Sequence, residues 1–339
     1  MALIKVKERG RESINLGRRN VIINGDMTIA QRGTSANTTG GYHNIDRWNY
    51  QHSTDGGFSG TQSSDVPSGT GFTKSLLWTV TSADSSFSSG QYAYIRQTVE
   101  GRNCAHLKLG TSDAKTITLS FYVKSSVTGT FSGAMCNDGF NRSYPYTYTI
   151  NSANTWEKKS VTIPCDTSGT WRTDHQRGFF ISWALGSGSL YGSGTAGQWN
   201  ASGQIAAAGT TNLMATNGAT WYMTGCQVEV GDTATDFEHR SFGEELSLCQ
   251  RYFCRQYYSG SNVIYDRVYW NGSGNNAIFN FPAPAGMRIN GATVTCTPTT
   301  NGTSVTFTYH PHGNIIVYRA SAAGDNYFYS QDLSISAEL

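Results

Sequence analysis

Thr116-Ile117-Thr118-Leu119-Ser120-Phe121-Tyr122-Val123-Lys124 places Ile117, Leu119, Phe121 and Val123 at every second position. Side chains alternate across a strand, so a period of two marks a strand with one buried face. Working outward from this run, further strand candidates are Tyr92 to Val99, Tyr146 to Ile150, Trp156 to Ile163, Phe179 to Ala184 and Thr220 to Val230. Asn20-Val21-Ile22-Ile23-Asn24-Gly25 reads as a short β-branched strand ending in a turn. Glycine- and serine-rich loops separate these runs, and no helix-period segment of any length interrupts them. Residues 21–240 are therefore expected to form an all-β antiparallel sandwich. Trp48, Trp156, Trp183 and Trp221 are expected to plug its core.

After residue 240 the period changes. Leu246, Cys249, Phe253 and Tyr257 recur at steps of three and four, with Glu244 and Glu245 early and Arg251 and Arg255 late. This pattern predicts one amphipathic connecting helix over 241–257, with charges placed to suit its dipole. Ser241 is its N-cap, paired with Glu244 in a capping box. Alternation resumes in Val263 to Trp270, Ala277 to Phe281, Ala292 to Cys296, Val305 to Tyr309, Asn314 to Arg319 and Tyr327 to Ile335. Residues 258–339 are thus read as a second, smaller β domain.

The 339 residues carry 14% charged side chains and 38 glycines, against about 25% charge in an ordinary soluble protein. With 12% aromatics this composition excludes a disordered chain. No apolar stretch approaches the roughly 20 residues of a membrane span, and charges in the opening MALIKVKERGRES stand where a secretion signal is apolar. Seven scattered cysteines without C-x-x-C spacing read as free, mostly buried thiols. The net charge of +2 is uneven: residues 1–20 hold six basic groups against Glu8 and Glu12. The remainder is close to neutral, which argues against nucleic acid as the main partner. The basic arm, with Lys5, Lys7, Arg9 and Arg11, either meets an acidic protein surface or is a solvated tail.

P-loop, dinucleotide, H-E-x-x-H and G-x-S-x-G motifs are absent. His310-Pro311-His312 reads as a turn more readily than as a metal site. Asp174-His175 and Glu238-His239 are adjacent pairs that face opposite ways on a strand. Glu229 is the best single candidate for acid chemistry, against a plainer reading as a polar residue on the outer face of a strand whose Val228 and Val230 face inward. Catalytic residues are not expected. Aromatic residues beside glycine-rich loops stand out: Trp78, Trp171, Trp199, Tyr191, Tyr144 and Tyr146. An aromatic face covers the apolar C–H face of a pyranose while neighbouring amides and charges bond its hydroxyls, so these six are the candidate glycan-binding residues.

The run Arg19 to Ser35 (RNVIINGDMTIAQRGTS) followed by Asp46-Arg47-Trp48 resembles the opening of the carbohydrate-binding-like jelly-roll domain of bacteriophage tail-fibre and related virion proteins. YAYIRQTVEG, KTITLSFYVKSS, TWEKKSVTI and WYMTGCQVEVGDTATDFEHRSFGEELSLCQRYF continue the resemblance in order, and SISAEL closes it. It spans residues 19–339 and implies a jelly-roll β-sandwich, then the helix, then the small β domain. It also implies a homotrimeric fibre or tail component that recognises host surface polysaccharide during adsorption, attached to other virion proteins through residues 1–20. A purely structural adaptor or decoration protein is the alternative, and a polysaccharide depolymerase the third. The implied setting is the virion, after synthesis in the host cytoplasm, without membrane insertion. Related modules hold a structural calcium through a glutamate where this chain has Thr28, and an aspartate where it has Thr224 or Gly225. Both departures argue against the ion, so no cofactor is expected.

Overall fold

The computed structural model describes residues 19–257 throughout. Beyond them it describes Met287, residues 337–339 and the strands Ile264–Trp270, Asn276–Phe279, Thr293–Cys296, Thr299–Thr300, Ser304–Phe307, Ile316–Arg319, Gly324–Ser330 and Asp332–Ser336. The basic arm with Lys5, Lys7, Arg9 and Arg11 lies outside the described residues, as does the His310-Pro311-His312 turn.

Eleven strands build the first module: β1 Gly41–Tyr42, β2 Trp48–Ser53, β3 Gly57–Ser63, β4 Ser75–Ser82, β5 Tyr92–Glu100, β6 Thr116–Ser125, β7 Gly129–Asn137, β8 Ser143–Ile150, β9 Glu157–Pro164, β10 Arg177–Ser187 and β11 Thr220–Val230. They pair antiparallel in a six-stranded sheet, β1-β2-β5-β10-β7-β8, and a five-stranded sheet, β3-β4-β11-β6-β9. This is a jelly-roll β-sandwich. In β6 the alternation works as expected, with Ile117, Leu119, Phe121 and Val123 all fully buried between the sheets. Trp48, Trp183 and Trp221 join them, and Trp48 meets Trp183 at 5.5 Å between ring centroids. Trp156 does not. It precedes β9 at the sandwich edge and stays partly exposed, while Trp78 in β4 takes the core position stacked on Phe58 at 3.9 Å.

Asn20 to Gly25 is not a strand. The Asn20 side chain substitutes for a ladder, accepting from the amides of Ile22 (2.9 Å) and Val228 (3.0 Å) and donating to Cys226 O (3.1 Å). Asn24 then turns the chain with φ 56° and bonds both backbone groups of Ile29 at 2.9 Å. Gly25 follows because a Cβ there would lie 2.1 Å from Cys226 O, far inside contact distance. This opening is tied to the segment after β11. Glu238 accepts the amides of Arg19 (3.0 Å) and Asn20 (2.9 Å), and Arg240 donates to Ile22 O (3.1 Å).

A one-turn helix, α1 (Gly101–Cys104), follows β5, and the longer α2 is Phe242–Gln250. Ser241 caps α2, its hydroxyl accepting from Glu244 N at 3.3 Å. The helix ends seven residues before the expected limit of 257. Arg251 and Tyr252 turn to the buried Glu100, at 2.6 and 2.8 Å, and Phe253–Tyr257 becomes β12. Its partner is the distant Asp332–Ser336, with Cys254 opposite Ile335, a pairing that local periodicity cannot reveal. The described strands after residue 252 form three-stranded sheets and coincide with most of the expected runs. Cys104, Cys136, Cys165, Cys226, Cys249 and Cys254 are all buried and unbridged.

Candidate functional site

The six aromatic residues singled out in the sequence separate into three groups. Trp78 and Tyr146 are enclosed in the core, the Tyr146 hydroxyl donating to Ser182 O at 2.8 Å, so neither presents a ring face to a ligand. Both lie on strands, where every second side chain points inward, and the flanking loops had made them look exposed. Tyr144 is also buried. It touches Trp199 (5.4 Å), which meets Trp171 edge-on (5.4 Å). The indole N–H groups of this trio are taken by backbone carbonyls, Trp171 by Ser168 (2.9 Å) and Trp199 by Pro164 (2.7 Å). Tyr191 stands elsewhere, with residues that the sequence reading passed over.

That third location is the outer face of the six-stranded sheet. β5 turns Ala93, Ile95 and Val99 to the core and therefore Tyr92, Tyr94 and Arg96 outward. Beside them β10 turns out Phe180, Ser182 and the small Ala184. The segment between β10 and β11 folds back over this surface. Tyr191 O accepts the amides of Ile205 (2.9 Å) and Ala206 (3.2 Å), and Ser132 Oγ on β7 accepts Ala207 N (2.8 Å). The result is a recess of about 160 Å3 lined by Tyr92, Tyr94, Phe140, Tyr191 and Ile205. Tyr92 contacts Tyr94 and Tyr191 at 5.5 and 5.6 Å, and Phe140 lies 6.0 Å from Tyr191. Phe140 holds a left-handed backbone, φ 50°, a conformation that costs a bulky residue about 1–3 kcal/mol and tends to persist at functional positions.

Polar groups edge the rings. Arg96 and Arg177 lie over Phe180 at 5.1 and 5.6 Å, and Arg177 is fixed by Asp138 (Nε to Oδ1, 2.8 Å). The Arg96 Nε is buried without a hydrogen-bond partner among the described residues. Burial pushes the Tyr94 phenol up to about 12, so it remains a neutral donor and acceptor at any physiological pH. Rings with a flat apolar face, bordered by guanidinium, phenol and amide groups, can stack on a flat C–H surface and bond hydroxyls around its rim. One signal for this face was available in the sequence. The alternation in Tyr-Ala-Tyr-Ile-Arg aligns Tyr92, Tyr94 and Arg96, whereas the covering by residues 188–212 had no local signature.

The other candidates have structural partners. Glu229 is buried, and its carboxylate accepts from Thr235 N (2.8 Å), Thr235 Oγ1 (2.6 Å) and Gln227 Nε2 (2.9 Å). Val228 is buried as expected, whereas Val230, expected inward, is exposed as the last residue of β11. Asp174 is held by Arg172 at 2.7 Å. Asp26 accepts from the Thr28 hydroxyl at 3.0 Å, and among the described residues no three His, Cys, Asp or Glu side chains converge.

No protein-family model matches the chain, and no curated protein matches it in sequence. Among solved structures it is similar to the enzymatically active domain of tailspike protein 4 of bacteriophage CBA120, at 15% identity and a TM-score of 0.34. That likeness covers 63% of this chain and only 22% of the tailspike structure. The chain is also similar to the family 11 carbohydrate-binding module of Clostridium thermocellum cellulase Lic26A-Cel5E, at 12% identity and a TM-score of 0.30, covering 62% of this chain and 99% of the module. TmCBM61, solved with β-1,4-galactotriose, is similar at 9% identity and a TM-score of 0.31, covering 63% and 100%.

Proposed function

We propose that this protein is a glycan-recognition component of a bacteriophage fibre or tail, binding host surface polysaccharide on the outer face of the six-stranded sheet. One observation carries the reading: Tyr92, Tyr94, Tyr191 and Phe140 converge on an open recess, behind which Phe140 stacks on Phe180 and the guanidiniums of Arg96 and Arg177 lie over that ring. Such a surface suits a weak, stacking-driven contact with one sugar ring. No acidic side chain is among the described residues lining the recess, and the protein is read as a binder without enzymatic activity. The resemblance of the motifs in residues 19–339 to virion proteins is the ground for placing the chain in the particle as a homotrimer, and the basic residues Lys5, Lys7, Arg9 and Arg11 are assigned to an attachment arm. Three copies acting together raise the avidity of sites that are individually weak.

A polysaccharide array probed with the full chain, alongside light scattering for its subunit number, tests this reading. Host-derived polysaccharide should be retained by the wild type and released about tenfold faster by Tyr94→Ala or Tyr191→Ala, each removing one stacking ring. Absence of binding to any polysaccharide, or retention unaffected by both substitutions, overturns it.

A further inference from the structure

The five-stranded sheet carries a second set of rings on its own outer face. Along β6, Tyr122 and Lys124 point away from the core, with Lys158 of β9 opposite Tyr122 and Tyr222 of β11 opposite Lys124. Two ring-lined stations result. At the first, Phe72 stands edge-on to Tyr122 (5.7 Å) and Phe237 (5.1 Å), and His239 lies 5.0 Å from Phe237. These rings border an open recess of about 240 Å3, with Lys158, Asp236 and Thr70 on its rim. A bulge in β11 makes space for them. Gly225 sits there at φ 62°, and a Cβ on it would lie 2.6 Å from the Phe72 ring and 3.1 Å from that of Tyr122.

At the second station the partly exposed rings of Trp156 and Tyr222 meet at 6.0 Å. The Trp156 indole donates to Asp65 (2.9 Å), and Lys124, paired with the same carboxylate, lies 4.3 Å over Tyr222. These bonds fix the position of the half-buried Trp156 ring.

Residues two apart on one strand face are separated by about 7 Å, so the stations lie in line along β6, as successive seats for one extended chain. The recess is smaller than the roughly 300–1,000 Å3 of pockets enclosing drug-sized ligands, and takes one ring at a time. A rim with both an amine and a carboxylate matches neutral hydroxyls better than a strong anion. We propose that this surface is a second saccharide-binding face, taking a neutral oligosaccharide across the Phe72–Tyr122–Phe237 and Trp156–Tyr222 stations. The choice of a saccharide rests on the function proposed above; the location does not.

Tryptophan fluorescence titration of the full chain with cellohexaose, maltohexaose and xylohexaose tests it, in wild type, Tyr94→Ala, Trp156→Ala, Tyr122→Ala and the exposed Lys158→Ala. Circular dichroism melts identify any variant that misfolds, and Lys158→Ala keeps the test alive if a ring deletion does. Binding that persists in Tyr94→Ala and weakens about tenfold in Tyr122→Ala, and several-fold in Lys158→Ala, supports the second face. Loss in Tyr94→Ala alone, with the three other variants at wild-type affinity, overturns it while leaving the first face standing. Loss confined to Trp156→Ala, Tyr122→Ala and Lys158→Ala assigns these hexasaccharides to the second face alone and leaves the first face to its own polysaccharide test. No response to any of the three hexasaccharides overturns the second face as a neutral-saccharide site.

Discussion

Several charged side chains in this protein are buried and paired, and single substitutions at them should have large effects. Glu100 is fully enclosed and is bonded by Arg251 through both Nε (2.8 Å) and Nη2 (2.6 Å), with the Tyr252 hydroxyl as a third donor (2.8 Å). Arg251→Met removes the compensating charge and leaves a buried carboxylate, so urea unfolding should show a loss of about 3 kcal/mol. Asp46 behaves differently. Burial pushes its carboxyl up to about 7 from an ordinary 3.8, opposed by bonds from Gln31 and the charge of Arg32, and reinforced by Glu338. The folded chain keeps a proton there that the unfolded chain releases above pH ~4. The stability this gives is complete below pH ~4 and is lost as pH rises towards 7. Asp46→Asn should flatten that decline in melts taken across pH 4 to 7; an unchanged slope would assign the decline to other groups.

At the scale of elements, the helix shows what local rules reach. Its start is readable from Ser241 and Glu244, and the cap bond is present. Ser241→Ala should cost about 1 kcal/mol by chemical denaturation, with the start of α2 losing amide protection first. The end was not readable, because Phe253 and Cys254 satisfy the apolar spacing of a helix equally well as β12 against Asp332–Ser336. Trp156 and Trp78 exchanged roles for a related reason. A tryptophan within an unrecognised strand such as β4 looks like a loop residue, and one just ahead of a recognised strand looks like part of its buried face. At the start of the module, Gly25→Ala should destabilise the fold by several degrees in melting temperature, since the added methyl meets a backbone carbonyl that cannot move aside.

Across the whole molecule, the closing residues of the chain are stitched to its beginning. Glu338 bonds Arg32 (3.1 Å) and pairs with the buried Arg47, Leu339 O accepts from Tyr42 (2.9 Å), and Ala337 N donates to Tyr252 O (2.7 Å). The guanidiniums of Arg32 and Arg47 in turn lie over Phe253 (3.4 Å) and Tyr252 (3.6 Å). Glu338→Ala leaves the enclosed Arg47 without its carboxylate, while Arg32 keeps Asp46 at 3.5 Å. A loss of about 3 kcal/mol is expected, with faster proteolytic cleavage after Gln250.

Local spacing alone was enough to read the strand periodicity, the inward set Ile117, Leu119, Phe121 and Val123, and the helix start. These follow from interactions between near neighbours and from the two-residue repeat of a strand. Only the tertiary structure decided which outward faces are open and which are covered. Residues 188–212 close over Tyr94 and Ala184 to shape the first recess, and residues 231–240 cover Glu229 while leaving Tyr122 half-buried at the edge of the second recess. Burial of an outward face depends on segments far away in the chain, and the spacing of residues within the strand holds no record of them.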